Sequence, residues 1–192
     1  MSMNITEQKN ALRRDIKAAE RAMSDGEKRA ADALIIENII SSRAYKNANV
    51  IFAFVGTAHE IDTTALLQDV LATGKRLCVP LCVGSGIMEV KEIFSLEELH
   101  RGAYGILEPS VDCRSVGPDE IDLVILPCVS CSHDGRRLGH GGGYYDRFMA
   151  QYRGLAILIC REALTRENIP TEPHDVSCQT VITDAGIFGR NM

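Results

Sequence analysis

Two helical patterns occupy the first quarter of the chain. Within residues 4–23 the apolar side chains recur at helical intervals, which predicts an amphipathic helix. Its apolar stripe consists of Ile5, Leu12, Ile16 and Ala19. Asn4 with Glu7, and Ser24 with Glu27, have the spacing of capping boxes. A second helix is therefore expected from residue 24 to about residue 45.

From residue 50 onwards, short apolar runs alternate with helical segments. Buried strands are predicted at residues 50–55, 75–82, 121–126, 155–160 and 180–183. Residues 87–94 alternate roughly by twos, which indicates a more exposed strand at an edge. Helices are predicted after residue 62 and at residues 144–152, with helical turns at 95–99 and 161–164. This order predicts an α/β fold: one domain, residues 1–192, with a mainly parallel sheet covered on both faces.

Composition narrows the class of protein. The 192 residues are 45% apolar and 24% charged, as in ordinary globular domains, and the net charge is −5. That charge argues against nucleic acid or an anionic membrane as a partner. The N-terminus is polar and no apolar run approaches membrane-spanning length, so we expect a cytoplasmic protein, and a monomer. A polyanion would need a local pocket of basic residues.

The seven cysteines are odd in number and scattered, which favours reduced thiols over a disulfide framework. Cys128 and Cys131 have the spacing of a redox pair or of half a zinc site. No second C-x-x-C or H-x-x-x-H motif completes a tetrahedral set of ligands. Small, partly buried thiols are therefore the preferred interpretation.

A glycine-rich segment at residues 134–147 carries the strongest chemical signal. It lies between a predicted strand and a predicted helix, and contains four glycines in residues 139–143. Such a backbone can approach an anion closely and direct helix N-terminal amides towards it. Arg136, Arg137 and Arg147 supply positive charge suited to phosphate, and Asp146 suits a Mg²⁺ ion between carboxylate and phosphate. A flexible linker would need none of these side chains, so the segment predicts a phosphate loop of unspecified type.

The same segment resembles the signature of the 5-formyltetrahydrofolate cyclo-ligase family. The matching residues run Arg137-Leu138-Gly139-x-Gly141-x-Gly143-Tyr144-Tyr145-Asp146-Arg147. The resemblance implies a three-layer, Rossmann-like α/β/α domain that binds ATP through this segment. The ATP-binding residues that it implies are Lys9, Arg13, Arg137, Leu138, Gly139, His140, Gly141, Gly142, Gly143, Tyr144 and Tyr145.

Matches outside the glycine segment supply the remaining implied site. Lys9-x-x-Leu12-Arg13 resembles the family's N-terminal nucleotide signature, although a solvated basic helix face is the usual fate of such residues. The implied substrate-binding residues are Val55, Glu60, His140, Gly141, Gly142, Gly143 and Tyr144. Asp146 and Asp175 are the implied Mg²⁺ ligands, and turn chemistry alone would otherwise explain Asp175. Glu108 lies in a G-I-x-E-P stretch that also resembles the family, with no role assigned.

The implied reaction is ATP-dependent cyclisation of 5-formyltetrahydrofolate to 5,10-methenyltetrahydrofolate, and no residue is assigned as general acid or base. One departure stands out: the family pattern P-G-x-x-F-D is replaced at residues 127–132 by Pro-Cys-Val-Ser-Cys-Ser. Two alternatives therefore stay open. One is an ATP-dependent enzyme acting on another N-formyl or carboxylate substrate. The other is a non-catalytic regulator that binds nucleotide or folate.

Overall fold

The computed structural model describes residues 3–102, 105–173 and 175–189, so His174 of the Asp175 segment lies outside the described part. Five α-helices are present: α1 (Ile5–Ala22), α2 (Asp25–Ser41), α3 (Arg43–Asn47), α4 (Thr64–Ala72) and α5 (Tyr144–Gln151). The strands are β1 (Val50–Ala53), β2 (Arg76–Gly84), β3 (Ile87–Ile93), β4 (His100–Arg101), β5 (Leu107–Glu108), β6 (Leu123–Leu126), β7 (Ser130–Cys131), β8 (Arg137–Leu138), β9 (Leu155–Ile159), β10 (Thr180–Thr183) and β11 (Gly186–Gly189). Short 3₁₀ turns cover Leu96–Glu98, Pro118–Glu120 and Glu162–Leu164.

The predicted N-terminal helices are present with one correction. Both capping boxes form, on Asn4 and on Ser24. The second helix does not continue to residue 45, because Ser42 adopts an extended conformation and its backbone amide bonds to Ile39. The Ser42 hydroxyl then accepts the Tyr45 amide at 3.2 Å and starts α3 as a separate helix.

Seven strands form one sheet in the order β11-β10-β9-β6-β1-β2-β3. The pairs β10–β9, β9–β6, β6–β1 and β1–β2 are parallel, which confirms the predicted mainly parallel sheet. β3 pairs antiparallel with β2 at one edge, as its alternating pattern indicated. β11 pairs antiparallel with β10 at the other edge and was not predicted.

Helices cover both faces of this sheet, so the fold has three layers. Ile16 of α1 and Phe148 of α5 belong to the same apolar core as Phe52. Ile39 of α2 belongs to a second core with Ile51, on the opposite face of β1. Side chains alternate between faces along a strand, which explains why adjacent residues of β1 serve different cores. No helix in the described part of the chain is long and apolar enough to span a membrane.

Parallel strands place the segments that carry chemistry at one edge of the sheet. β1, β6 and β9 are neighbours with the same direction, so their carboxyl ends lie side by side. They lead respectively into residues 54–63, into Pro127 and Cys128, and into Cys160 and Arg161. Ligands of open α/β sheets bind at this edge.

Candidate active site

The glycine segment forms a loop between the β7–β8 hairpin and α5. Gly141 and Gly143 adopt φ angles of +101° and +69°, which side chains disfavour, so glycine is required at both positions. Gly143 is the N-cap of α5, and no side chain in the described chain caps this helix. The first amides of α5 therefore remain available to an anion.

Two cavities lie on either side of this loop and share it as a wall. The first, called here the basic cleft, measures about 560 Å³ and is lined by Lys9, Arg13, Arg137, Arg147, Asp146, Asp175, Glu172 and the loop. The second, called here the apolar pocket, measures about 450 Å³ and is lined by Phe54, Val55, Pro80, Met88, Ile106, Tyr144, Tyr145, Glu60, Glu108 and the loop. Arg137, Asp146 and residues 139–143 border both cavities. Ligands in the two cavities would thus meet at the glycine loop.

Helix α1 supplies two cations to the basic cleft. Lys9 is 8% exposed, and its ammonium group lies 2.8 Å from Glu172 and 2.6 Å from Asp175. Burial alone would lower the pKa of Lys9, but these carboxylates outweigh it and the pKa is raised. Arg13 donates from Nε to the Gly139 carbonyl at 2.8 Å. The basic helix face is therefore directed into the cleft, not into solvent.

Arg137 and Asp146 form the inner wall of the cleft. Arg137 donates to Asp146 Oδ1 at 2.9 Å and to the Pro127 carbonyl at 3.0 Å. Burial lowers the pKa of Arg13, and the nearby Arg137 guanidinium acts in the same direction. Such crowding of cations favours the binding of an anion between them.

The apolar pocket contains a charged group at its boundary with the loop. Glu60 accepts from the His140 ring at 3.2 Å and from the Thr57 amide at 3.2 Å. Burial would raise the pKa of Glu60, but these hydrogen bonds hold it below its ordinary value. The Tyr144 hydroxyl donates to the Gly84 carbonyl at 3.2 Å, which places its ring on the pocket wall. An apolar slot with few fixed polar groups suits an aromatic heterocycle.

Comparison with known proteins identifies the family of the chain. A model of the 5-formyltetrahydrofolate cyclo-ligase family matches residues 5–184. The chain belongs to the 5-formyltetrahydrofolate cyclo-ligase family. Members of this family are ligases.

Three relatives of the cyclo-ligase family illustrate the extent of the similarity. The chain is 28% identical to the mitochondrial 5-formyltetrahydrofolate cyclo-ligase of Arabidopsis thaliana, over 96% of this chain and 76% of that protein. It is 30% identical to the enzyme of Haemophilus influenzae, over 72% of this chain and 76% of that protein. The solved structure of Aquifex aeolicus 5,10-methenyltetrahydrofolate synthetase superimposes with a TM-score of 0.85 at 28% identity, covering 94% of this chain and 92% of that one.

The structure distributes the predicted residues between the two cavities. Lys9, Arg13, Arg137, Asp146 and Asp175 line the basic cleft together with residues 138–143. Val55, Glu60, Tyr144 and Tyr145 line the apolar pocket, where the resemblance assigns Tyr144 to both ATP and substrate and Tyr145 to ATP alone.

Arg136 and Arg147 of the glycine segment differ in whether they border a cavity. Arg136 lines neither cavity, because it pairs with Asp134 at 2.9 Å and donates to the Glu167 carbonyl. Arg147 borders the basic cleft and also braces the loop by donating to the Gly142 carbonyl at 3.0 Å. The prediction that all three arginines supply charge for phosphate is therefore wrong for Arg136, which lines neither cavity.

Glu108, which the sequence left without a role, borders the apolar pocket. It is 5% exposed. Its Oε1 atom has no hydrogen-bond partner among the described residues. Burial, together with a hydrogen bond to Glu108, raises the pKa of the neighbouring Cys82 thiol to about 11. The G-I-x-E-P stretch was the available signal for this carboxylate.

A buried ion pair supports the loop that carries Glu60, and sequence reasoning missed it. Arg161 donates from Nε and Nη2 to Asp32 at 2.7 and 2.9 Å. The same guanidinium donates to the Glu60 carbonyl at 2.7 Å, and Asp32 accepts the Asp62 amide at 3.0 Å. Helix α2 is thereby connected to the loop after β1. Asp62 also accepts the Thr64 amide at 2.9 Å, where α4 begins.

Proposed function

We propose that the chain cyclises 5-formyltetrahydrofolate to 5,10-methenyltetrahydrofolate and converts ATP to ADP and phosphate. The observation that carries the proposal is the glycine loop shared by a basic cleft and an apolar pocket. A triphosphate in the cleft and a reduced pterin in the pocket would place the terminal phosphate beside the formyl group. Family membership supports the same reaction.

The reaction is driven by making the formyl oxygen a good leaving group. That oxygen attacks the γ-phosphorus, the bond from phosphorus to the bridging oxygen breaks, and ADP departs. The lone pair of N10 then attacks the activated formyl carbon, and the carbon–oxygen bond breaks to release phosphate. The N10 proton passes to solvent, so no protein base is needed. Such transfers depend mainly on positioning and on charge neutralisation.

We assign the triphosphate to the basic cleft. Lys9, Arg13 and Arg137 would neutralise its oxygens, and the amides of residues 139–143 and the start of α5 would hold it. Asp146 and Asp175 offer the hard oxygen donors that Mg²⁺ prefers, and both border this cleft, so the residues fit the ion. Bound Mg²⁺ would screen the phosphate charges.

We assign the folate to the apolar pocket. Val55 and Tyr144 would pack on the pterin, and Glu60 would orient the formyl region next to the loop. Glu108, buried and with one oxygen unpaired among the described residues, suits the donor edge of the pterin, which carries a ring N–H and an amino group. Glu108→Gln is expected to raise KM for the folate about tenfold and leave KM for ATP unchanged, since one charged hydrogen bond is lost.

A spectroscopic assay of methenyltetrahydrofolate formation tests the assigned reaction. The protein with Mg²⁺, ATP and 5-formyltetrahydrofolate is expected to form product and ADP in equal amounts. Asp146→Asn should keep the fold and lose at least about 100-fold in kcat, because a metal ligand is neutralised. Asp134→Asn is the matched control, since Asp134 pairs with Arg136 outside both cavities. Full activity of Asp146→Asn would show that the metal is misplaced.

A second candidate is ATP-dependent activation of another N-formyl or carboxylate compound. The replacement of P-G-x-x-F-D at residues 127–132 favours it, because the replaced residues directly follow Pro127, which is retained and borders the apolar pocket. ADP release with such compounds, and none with 5-formyltetrahydrofolate, would select this candidate.

The remaining sequence-based expectations are kept as proposals. We propose one domain over residues 1–192, supported by the seven-stranded sheet that joins β1, β2 and β3 to β6, β9, β10 and β11. A monomer in the cytoplasm remains a prediction from composition. Sedimentation of the purified protein and fluorescence localisation of a tagged copy would check the two points.

A further inference from the structure

Three cysteine thiols converge behind the active site. Cys128 follows Pro127 at the end of β6, Cys131 lies in β7, and Cys160 follows β9. Their Sγ atoms all lie within 4.8 Å of one another, and no other group of three possible metal ligands occurs among the described residues. Cys131 and Cys160 are buried, while Cys128 is partly exposed.

The thiol spacing fits a metal ion with little rearrangement. Zinc–sulfur bonds of about 2.3 Å place tetrahedral sulfur ligands about 3.8 Å apart. Each pair of sulfurs in the cluster therefore needs to close by about 1 Å at most. Backbone hydrogen bonds fix two of the three segments, since the Cys160 amide donates to Ile182 and the Cys131 carbonyl accepts from Arg166. A site held by strand ends is largely formed in advance.

The arrangement suits metal binding better than disulfide exchange. A disulfide joins two sulfurs and would leave the third thiol of this cluster without a function. A helix N-terminus is one of the features that stabilise a reactive thiolate. Cys128 and Cys131 instead lie on a strand connection and in a strand.

A cavity connects the cluster to solvent. It measures about 400 Å³, and Cys128 and Cys160 border it together with His59, Glu60 and His140. An ion can enter from this side, and a fourth ligand can reach it there. The three sulfurs would close the other sides.

We propose that Cys128, Cys131 and Cys160 bind one thiophilic metal ion, with Zn²⁺ as the natural occupant and solvent as its fourth ligand. Thiolates select soft or borderline ions over Mg²⁺, so this site is distinct from the carboxylates of the basic cleft. Binding forms three metal–sulfur bonds, and each thiol loses its proton to solvent. The proposal does not depend on the cyclo-ligase reaction.

Titration of the reduced, full-length protein with Cd²⁺ under anaerobic conditions tests the site. We expect one equivalent to produce a sulfur-to-cadmium absorption band and to release protons. Excess Zn²⁺ should compete for the same thiolates and weaken the band, whereas a large excess of Mg²⁺ should have no effect. Cys160→Ser is expected to weaken Cd²⁺ binding at least about 100-fold, because one strong ligand is lost. Cys113→Ser and Cys178→Ser, outside the cluster, are expected to bind like the wild type.

Cadmium-113 NMR of the wild-type protein decides the matter even if a serine variant fails to fold. A resonance in the range of three sulfur ligands supports the site. A resonance typical of oxygen ligands, or no stoichiometric binding by the folded reduced protein, overturns it. Equal Cd²⁺ affinity in folded Cys160→Ser would also overturn it.

Discussion

Arg137 holds Asp146 across the inner wall of the basic cleft, with Nη2 2.9 Å from Oδ1. Lys9 and Asp175 repeat this relationship at 2.6 Å on the outer side. Each proposed metal ligand is therefore paired with a proposed phosphate-binding cation. A ligand that brings both a divalent cation and phosphates can exchange these pairs one for one, whereas either ion alone would leave a charge without compensation.

Arg13 and Arg14 offer a matched comparison of neighbouring arginines on α1. Arg13 borders the basic cleft and donates to the Gly139 carbonyl at 2.8 Å, while Arg14 is exposed. Arg13→Ala is expected to raise KM for ATP about tenfold, equivalent to one charge-assisted hydrogen bond. Arg14→Ala should leave KM unchanged. Steady-state kinetics with varied ATP measure both, and equal effects would contradict the assigned cleft.

Gly141 tests whether the loop serves both substrates. Its φ of +101° makes alanine strained, at a cost of about 1–2 kcal/mol. Gly141→Ala is therefore expected to raise KM for ATP and for the folate together. Gly74 also has a positive φ, of +72°, with open space around it, so Gly74→Ala should reduce stability without changing either KM. An effect of Gly141→Ala on one substrate alone would show that the cavities do not share this wall functionally.

Glu60 is expected to make stability depend on pH on the acidic side. Its pKa is lower in the folded chain than in the unfolded chain, where it is about 4.3. Its contribution to the free energy of unfolding is thus present above that value and is lost as the pH falls through the folded pKa. The His140 ring and the Thr57 amide face the Glu60 carboxylate. Arg161 donates to the backbone carbonyl of Glu60.

Urea unfolding of wild type and Glu60→Gln at several pH values measures this contribution. The difference in free energy of unfolding between the two proteins should be largest near neutral pH and shrink towards acid. A difference that grows towards acid would contradict the lowered pKa.

The buried pair of Arg161 and Asp32 is expected to stabilise the fold and to position Glu60. Asp32→Asn removes the carboxylate that is hydrogen-bonded to the buried guanidinium, which should cost about 3–5 kcal/mol. It should also raise KM for the folate, because Arg161 donates to the Glu60 carbonyl at 2.7 Å. Denaturant unfolding and steady-state kinetics measure the two effects. In the exposed pair of Asp134 and Arg136, Asp134→Asn should cost no more than about 1 kcal/mol.

Local patterns were sufficient to predict most of the fold. The capping boxes at Asn4 and Ser24 and the apolar runs of the central strands are signals contained in a few adjacent residues, and all are present in the structure. The break at Ser42 was missed because no proline or glycine marks it. The strand β11 was missed because it has only four residues, with a glycine at each end, which weakens a strand pattern.

The site was predictable only where a motif carried it. The glycine segment and the Lys9 signature located the basic cleft, because spacing and charge are visible in the sequence. The pair of Arg161 and Asp32 is separated by 129 residues, so no local pattern could indicate it. No local pattern could indicate that Cys160 lies close to Cys128 and Cys131 either, because the sheet order brings the ends of β6 and β9 together.

The shared glycine wall has a consequence for drug resistance. A folate-like inhibitor bound as proposed in the apolar pocket would contact the same five residues, 139–143, that also line the basic cleft proposed for ATP. Any replacement there that weakens binding of the inhibitor would also weaken binding of ATP. A resistance mutation in this loop would therefore reduce enzyme activity. A resistance mutation at Val55 or Met88, which border only the apolar pocket, would leave ATP binding unchanged.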